Sequence, residues 1–67
     1  MTISLNGQSR DFDAETLSVD EMLARLGFTG HPVLVELNGE ALLKSEFADR
    51  QVTDGATVEI VRMVAGG

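Results

Sequence analysis

The chain has 67 residues, with 11 Asp and Glu against 5 Lys and Arg, a formal net charge of −6 at pH 7, and no cysteine. This length allows one domain with a small core and leaves no room for the enclosed active site of a self-sufficient enzyme. The composition excludes disulfides and cysteine chemistry, and an acidic chain without clustered Lys and Arg does not suit nucleic acid or an anionic membrane.

The first predicted element is a hairpin. Residues 2–6 alternate between polar and apolar, so that Ile3 and Leu5 share one face of a strand. Asn6-Gly7 suits the two φ > 0 positions of a two-residue turn. The chain then returns antiparallel through residues 8–13, which predict a polar edge strand.

A helix is predicted to follow Ser18. Ser18 and Glu21 fit a capping box, in which each side chain bonds the other residue's amide. Gly27 provides a left-handed stop, and Phe28 is placed to pack back on Leu23. Four apolar residues at helical spacing form one face: Val19, Met22, Leu23 and Leu26.

The second half of the chain predicts a further hairpin and a last strand. Residues 33–37 are dense in apolar and β-branched side chains, which is typical of a central strand. The remaining elements follow in order: a turn at Asn38-Gly39, a return strand over 40–43, a loop or short helical turn over 44–50, a turn at Asp54-Gly55 and a strand over 57–64.

This order of elements predicts an α+β fold. Strands at both ends and one helix between them favour a mixed sheet of four to five strands packed on one main helix. With the last strand parallel to the first at the sheet centre, the arrangement is the β-grasp, or ubiquitin-like, fold. We expect one domain over residues 1–67, in which residues 64–67 form a flexible tail ending in Gly-Gly.

The candidate catalytic and metal-binding residues give little support for an active site or a metal site. His31 is the only histidine and lies in a predicted loop, so we interpret it as a surface residue. Asp11, Asp13 and Glu15 lack the spacing of a calcium loop, and we interpret them as a solvated edge. Ser18 fits a helix cap better than a carrier serine. We therefore expect no catalytic residue and no metal site.

The cellular location of the protein is predicted from its hydropathy and its lack of cysteine. No apolar run approaches the ~18 residues of a membrane span, and no signal peptide opens the sequence. A small secreted domain usually depends on disulfides, so we expect a cytoplasmic protein. The charge of −6 either keeps the protein soluble or forms an acidic face for a basic partner, and both interpretations stay open.

The Gly66-Gly67 end allows two interpretations. One is a frayed terminus. The other is a functional tail, because glycines without Cβ atoms can thread a narrow channel with a carboxylate leading. Adenylation by ATP would make that carboxylate an electrophile, and a sulfur nucleophile could then displace AMP to leave a thiocarboxylate. A protein without cysteine would have to carry sulfur in this way.

The chain as a whole resembles the ThiS family of bacterial sulfur carriers. The resemblance covers essentially the full length, and the order and spacing of the motifs carry it. The motifs are Ile3-Ser4-Leu5-Asn6-Gly7, then Leu17, Leu23 and Leu26-Gly27, then Val35-Glu36-Leu37-Asn38-Gly39, Glu46-Phe47-Ala48, Asp54-Gly55, Val58-Glu59-Ile60-Val61-Arg62 and Gly66-Gly67.

The resemblance implies a carrier of thiamine thiazole assembly that is itself no enzyme and is a monomer when free of its partners. It implies that a ThiF-like, E1-like adenylyltransferase adenylates Gly67 with ATP, and that the carrier binds no cofactor. Sulfur from a cysteine desulfurase then makes the thiocarboxylate, and a ThiG-like thiazole synthase takes the sulfur. Gly66 and Ala65 would be the tail residues that enter these enzymes' active sites.

The predicted docking surface follows from strand alternation. If Val58 and Ile60 point at the helix, Val61 and Met63 point to the other face, close to the tail. Exposed apolar side chains there would suit partner docking, and methionine adapts to more than one partner. The alternative is that neighbouring strands cover both side chains.

Three other functions stay open. The small subunit of molybdopterin synthase shares the fold and the diglycine, but is usually longer and tends to have prolines near its end, where this chain has Arg62-Met63-Val64. A ubiquitin-like modifier would form isopeptide bonds, and Lys44 is the only lysine available for chain building. A β-grasp binding module with an inert tail is the third.

Overall fold

Residues 1–64, which the computed structural model describes, form seven strands, one α-helix and one 3₁₀ turn. In chain order these are β1 (Thr2–Leu5), β2 (Gln8–Asp11), β3 (Thr16–Ser18), α1 (Val19–Arg25), β4 (Val33–Leu37), β5 (Glu40–Leu42), the 3₁₀ turn (Lys44–Glu46), β6 (Gln51–Thr53) and β7 (Thr57–Arg62).

The main sheet has five strands in the order β2-β1-β7-β4-β5. Strand β7 occupies its centre, parallel to β1 and antiparallel to β4. Strand β2 lies at an edge with every residue exposed, as its polar sequence predicts. The predicted α+β fold, a mixed β-grasp sheet with one main helix, is confirmed.

Two Asn-Gly turns connect the hairpins of this sheet. Asn6 and Asn38 have φ values of 50° and 51°, and the glycines that follow have 82° and 84°. Two successive residues at positive φ form the tight turn whose twist matches that of paired strands. Both predicted hairpins are therefore present.

The helix begins and ends as its sequence predicts. The Ser18 hydroxyl accepts the Glu21 N–H at 3.0 Å, and the Glu21 carboxylate accepts the Ser18 N–H at 2.9 Å. At the other end Gly27 has a φ of 84°, and the Phe28 N–H donates to the Leu23 carbonyl at 2.9 Å. These bonds satisfy terminal backbone groups that would otherwise lack partners.

The core lies between the helix and one face of the main sheet. Its buried side chains are Ile3, Leu5, Leu17, Val19, Met22, Leu23, Val35, Leu37, Leu42, Phe47, Val52, Ala56, Val58 and Ile60. Among residues 1–64, every buried side-chain nitrogen or oxygen has a hydrogen-bond partner. In that same part of the chain, no helix is long and apolar enough to cross a membrane.

A second sheet, formed by β3 and β6, was not predicted. Leu17 pairs with Val52, and both are buried. Each strand has three residues, and the two are more than thirty positions apart, so no local turn signal marks the pairing. The element order derived from the sequence lacked both strands for this reason.

The last strand is shorter than predicted. It ends at Arg62 rather than residue 64. Opposite its end, the Met63 N–H donates to the Pro32 carbonyl at 3.0 Å. Proline has no N–H to return a second bond, so the ladder between β4 and β7 stops there.

Candidate functional site: the surfaces around the last strand

The predicted reacting residue and its tail, Gly67, Gly66 and Ala65, lie outside the described residues. The described chain ends at Val64, two residues after β7. The candidate site is therefore built from β7 and the surfaces that border it.

Asparagine side chains from both hairpin turns bond the backbone of β7. The Asn6 amide accepts the Ile60 N–H at 2.8 Å and donates to the Ile60 carbonyl at 3.1 Å. At the opposite end of the strand, the Asn38 amide accepts the Thr57 N–H at 2.9 Å. The turns thus connect hairpins and also fix the strand that leads to the tail.

This second role of the asparagines was not predicted from the sequence. The available signal was that both turns have Asn at a position where Asp or Gly would also form a tight turn. An amide offers a donor and an acceptor together, which is what a strand residue offers its neighbour. Local sequence does not show that the partner is a strand 54 positions away.

The outer face of the sheet carries an apolar pair beside the end of β7. Val58 and Ile60 are buried, whereas Val61 is 58% exposed and pairs across the strands with Leu34, which is 56% exposed. We name Leu34 and Val61 the outer pair. Val61 was a predicted docking residue, and its exposure shows that neighbouring strands do not cover it.

Leu34 was missed because residues 33–37 were interpreted as a central strand, with no division into a buried and an exposed face. The structure exposes alternate residues of β4, with Leu34 and Glu36 outward and Val35 and Leu37 buried. Glu36 was the available signal. Its charge indicates that it faces solvent, and Leu34, two residues earlier in the same strand, lies on the same face.

Acidic side chains lie next to the outer pair. Glu36 faces Glu59 directly across β4 and β7, and both are exposed. Like charges directly opposite each other on adjacent strands are unfavourable for the sheet itself. The outer face thus presents an apolar area bordered by negative charge.

Met63, the second predicted docking residue, borders a groove on the adjoining side. It is 43% exposed. The groove has a volume of about 550 Å³ and lies between the helix, the loop after it and Met63. Leu23, Phe28 and Phe47 contribute apolar walls, and Lys44 lies at the same groove. Val61 and Met63 therefore border two adjoining surfaces.

The remaining candidate residues do not form a chemical site. His31 is exposed in the loop that borders the groove. Across residues 1–64, no three His, Cys, Asp or Glu side chains are grouped as metal ligands. The Ser18 hydroxyl is used in the helix cap.

Hydrogen bonds within the fold explain the lowered pKa values of two carboxyl groups. The backbone N–H of Ser18, together with its side chain, lowers the pKa of Glu21. The Arg50 guanidinium lowers the pKa of Glu40, to which it is bonded at 2.9 and 3.0 Å. The same pairing raises the pKa of Arg50. Neither carboxylate lies at the groove or the outer pair, so we assign both to stability.

The described surfaces therefore suit binding better than catalysis. They offer a central strand paired on both sides, exposed apolar side chains and a groove beside the point where the chain continues to residue 65.

Comparison with known families and solved structures agrees with this description. The model of the ThiS family matches residues 3–67. The crystal structure of a thiamine biosynthesis protein (ThiS) from Geobacter metallireducens is 39% identical and superimposes with a TM-score of 0.88, each chain being covered completely.

Two curated relatives differ in length. A sulfur carrier protein ThiS from Thermus thermophilus is 41% identical over 63 residues, which are 94% of this chain and 95% of that protein. A thiazole synthase from Paramagnetospirillum magneticum is 39% identical over 67 residues. The chain spans only 20% of that second protein, where the similar segment is part of a longer polypeptide.

Proposed function

The chain belongs to the ThiS family, and from this premise we propose that it is a sulfur carrier of thiamine biosynthesis that supplies sulfur for the thiazole ring. The observation that carries the proposal is the family match through residue 67, which includes Gly66 and Gly67. Residues 1–67 act as one carrier domain, with residues 64–67 as its tail.

The chemistry takes place at the Gly67 carboxylate. A carboxylate resists nucleophiles because its negative charge is delocalised over two oxygens. An E1-like adenylyltransferase joins it to AMP from ATP and releases pyrophosphate. A cysteine desulfurase mobilises sulfur as a persulfide, whose terminal sulfur displaces AMP from the carbonyl to form an acyl disulfide. A thiol then reduces this disulfide and leaves the thiocarboxylate. This requires Gly67 to be the last residue of the functional chain.

The carrier's contribution is presentation and not catalysis. Gly66 and Gly67 have no side chains, so the tail fits a channel that excludes bulkier residues. The protein holds the start of this tail in place through β7, which two neighbouring strands and the Asn6 and Asn38 amides support. The enzymes carry the ATP and ring chemistry, and we place these reactions in the cytoplasm.

The outer pair and Met63 form the proposed docking surface. Val61 and Leu34 are each more than half exposed and lie next to the strand end that leads to the tail. Exposed apolar side chains with a polar surround are typical of protein interaction sites. Glu36 and Glu59 beside them favour a partner surface with basic side chains.

Thiazole assembly is preferred to molybdopterin assembly because of the relatives. The Paramagnetospirillum magneticum protein that contains a similar segment is a thiazole synthase. Placing carrier and synthase in one polypeptide raises the effective concentration of each for the other. A carrier made as a separate chain would meet the same enzyme by diffusion.

Intact mass spectrometry tests the proposal directly. The carrier is incubated with the adenylyltransferase, ATP, a cysteine desulfurase, cysteine and a thiol reductant, and the expected product has one oxygen of Gly67 replaced by sulfur. A reaction without ATP is the control. An unchanged mass under conditions that load another ThiS protein would contradict the proposal.

Two tail variants separate the chemistry from the fold. Adding one alanine after Gly67 removes the carboxylate from its position and is expected to abolish loading. Gly66→Val is expected to impede entry of the tail into the adenylyltransferase. Both variants should keep the wild-type melting temperature, because residues 65–67 follow the last strand. Normal loading of the extended, untrimmed protein would refute the role of Gly67.

A further inference from the structure

The two edges of β7 are bonded differently. The Asn38 N–H donates to the Thr57 carbonyl at 2.7 Å, and the Met63 N–H donates to the Pro32 carbonyl at 3.0 Å. Because bonded pairs alternate along an antiparallel ladder, the intervening odd-numbered residues of β7 also bond β4. The backbone groups of Val58, Ile60 and Arg62 consequently face the opposite edge, towards β1.

Strand β1 covers only part of that opposite edge. The Asn6 N–H bonds the Val58 carbonyl at 2.9 Å, and the Asn6 side chain then bonds both backbone groups of Ile60. At Gly7 the chain turns away into β2. Within residues 1–64, nothing bonds the N–H and carbonyl of Arg62 on this side. A strand edge with free donors and acceptors is able to pair with another chain.

A small hollow lies beside this open edge. Its volume is about 280 Å³, and Leu26, Phe28 and Ile60 form its apolar wall. The Arg10 side chain lines it from β2, and the Arg62 guanidinium lies 6.0 Å from the centre of the Phe28 ring. Among residues 1–64, no Asp or Glu lines the hollow, although the chain as a whole has a net charge of −6.

We propose that the open edge of β7 and this hollow bind an extended segment of the thiazole synthase. The segment pairs its backbone with Arg62, inserts one apolar side chain into the hollow and places a carboxylate near Arg10. Strand addition of this kind takes affinity from main-chain hydrogen bonds and specificity from alternate side chains. The identity of the partner rests on the proposed function. The mode of binding rests on the edge, the hollow and the two arginines.

This mode of binding has a consequence for sulfur transfer. Arg62 is the last residue of β7, and Met63 and Val64 follow it towards the tail. A synthase strand paired at Arg62 would hold the chain extended where the tail begins. The main-chain pairing would then align the tail with the synthase active site.

Amide hydrogen exchange of the wild-type carrier gives the first test. The Arg62 N–H should exchange rapidly in the free protein, and the Ile60 N–H, bonded by Asn6, should exchange slowly. With saturating thiazole synthase, exchange at Arg62 should slow by about tenfold or more. Unchanged exchange at Arg62 in the complex, or no complex at all, would overturn the proposal.

A pair of substitutions at Arg62 isolates the backbone contribution. Arg62→Pro removes the N–H, and Arg62→Ala removes the side chain but keeps the N–H. Because the Arg62 N–H is not part of the β4 ladder, both variants should fold, which melting curves will check. Arg62→Pro should bind the synthase about tenfold more weakly than Arg62→Ala, the effect expected for one lost interfacial hydrogen bond. Equal affinities would contradict strand pairing.

A second pair of substitutions tests whether the positive charge of Arg10 contributes to binding. Arg10→Gln and Ser9→Glu each lower the net charge by one, at adjacent positions that face opposite sides of β2. Arg10→Gln should weaken binding several-fold and reduce its salt dependence. Ser9→Glu should not. Equal effects of the two variants would show that only net charge matters and would refute a carboxylate at the hollow.

Failure of this inference can be separated from failure of the proposed function. Sulfur loading is measured by intact mass with the adenylyltransferase and desulfurase, without thiazole synthase. A carrier that loads sulfur but shows no protection at Arg62 retains its function and lacks the proposed mode of binding. A carrier that does not load sulfur contradicts the proposed function whatever happens at Arg62.

Discussion

Ser18 and Glu21 show how two side chains can fix where a helix begins. Each accepts the backbone N–H of the other, at 3.0 and 2.9 Å, so two terminal donors of a seven-residue helix are satisfied. A helix this short depends on its caps and its packing, because isolated short helices are unstable in water. The capping interaction also makes the Glu21 carboxylate part of the fold's response to acid.

Glu21→Gln is expected to reduce the loss of stability in acid. The folded-state pKa of Glu21 is lowered because the ionised carboxylate accepts the Ser18 N–H. Its stabilising effect is therefore complete above the unfolded pKa of about 4.3 and is lost as the pH falls through the lower folded value. Glutamine keeps an acceptor oxygen for the cap but does not titrate.

The measurement is urea unfolding of both proteins between pH 7 and pH 3. The wild type should lose more stability than Glu21→Gln below the unfolded pKa. Glu59→Gln, on the exposed outer face, is the control. Parallel curves for the wild type and Glu21→Gln would contradict the assigned cause of the pKa shift.

At the level of elements, β7 depends on both hairpin turns. Asn6 bonds two backbone groups of Ile60, which are partly buried, whereas Asn38 bonds one exposed N–H of Thr57 through its side chain. Both asparagines have the same backbone conformation, with φ near 50°. Their replacement by glycine, which adopts this φ readily, therefore compares the hydrogen bonds alone.

Asn6→Gly is expected to lower the free energy of unfolding by about 1–3 kcal/mol, since it leaves partly buried backbone groups unpaired. Asn38→Gly removes a single exposed bond and should cost about 1 kcal/mol or less. Urea titration monitored by circular dichroism measures both, with equal m-values as the check on two-state unfolding. Equal losses for the two variants would mean that Asn6 does not support β7 in the way its contacts indicate.

At the level of the whole molecule, four of the five large apolar side chains that are exposed in residues 1–64 lie around the end of β7, and Leu43 is the fifth. Leu34, Val61, Met63 and Val64 are all more than two-fifths exposed. Folding alone would favour their burial, since full burial of such a side chain contributes about 1.5–3 kcal/mol and each of these forgoes part of it. Retaining them at the base of the tail is consistent with a surface that partner enzymes contact.

Val61→Asp should weaken docking without weakening the fold. Because Val61 is 58% exposed, the melting temperature should stay close to that of the wild type. The kcat/KM of adenylation, with the carrier as the varied substrate, should fall by about tenfold if the side chain is buried on docking. Pyrophosphate release measures this rate.

Thr57→Asp is the matched control, because Thr57 is exposed on the same face at the far end of β7. Its effect on adenylation should be small. Equal effects of the two aspartates would remove the outer pair from the docking surface.

Val58→Ala, at a fully buried neighbour, should instead cost about 2 kcal/mol of stability.

Much of the candidate site could be predicted from the sequence. Alternation in the last strand identified Val61 as outward, and Gly66-Gly67 with the motif order identified the family. Leu34 was missed because residues 33–37 were interpreted as a central strand, and only the tertiary structure decides which face of that strand packs on the core. The hollow was missed because residues from β1, β2, the helix end and β7 line it together, and no spacing in the sequence indicates that these elements come together.

Local signals determined the turns, the helix and its ends, because those depend on residues within a few positions of one another. The Asn-Gly pairs, the Ser18 cap and Gly27 each act through their own backbone conformation or nearest hydrogen bonds. Only the tertiary structure decided that Asn6 bonds Ile60, that Leu34 faces Val61 and that Arg62 keeps an open edge. These contacts join distant parts of the chain, so they exist only once hydrophobic burial has assembled the sheet.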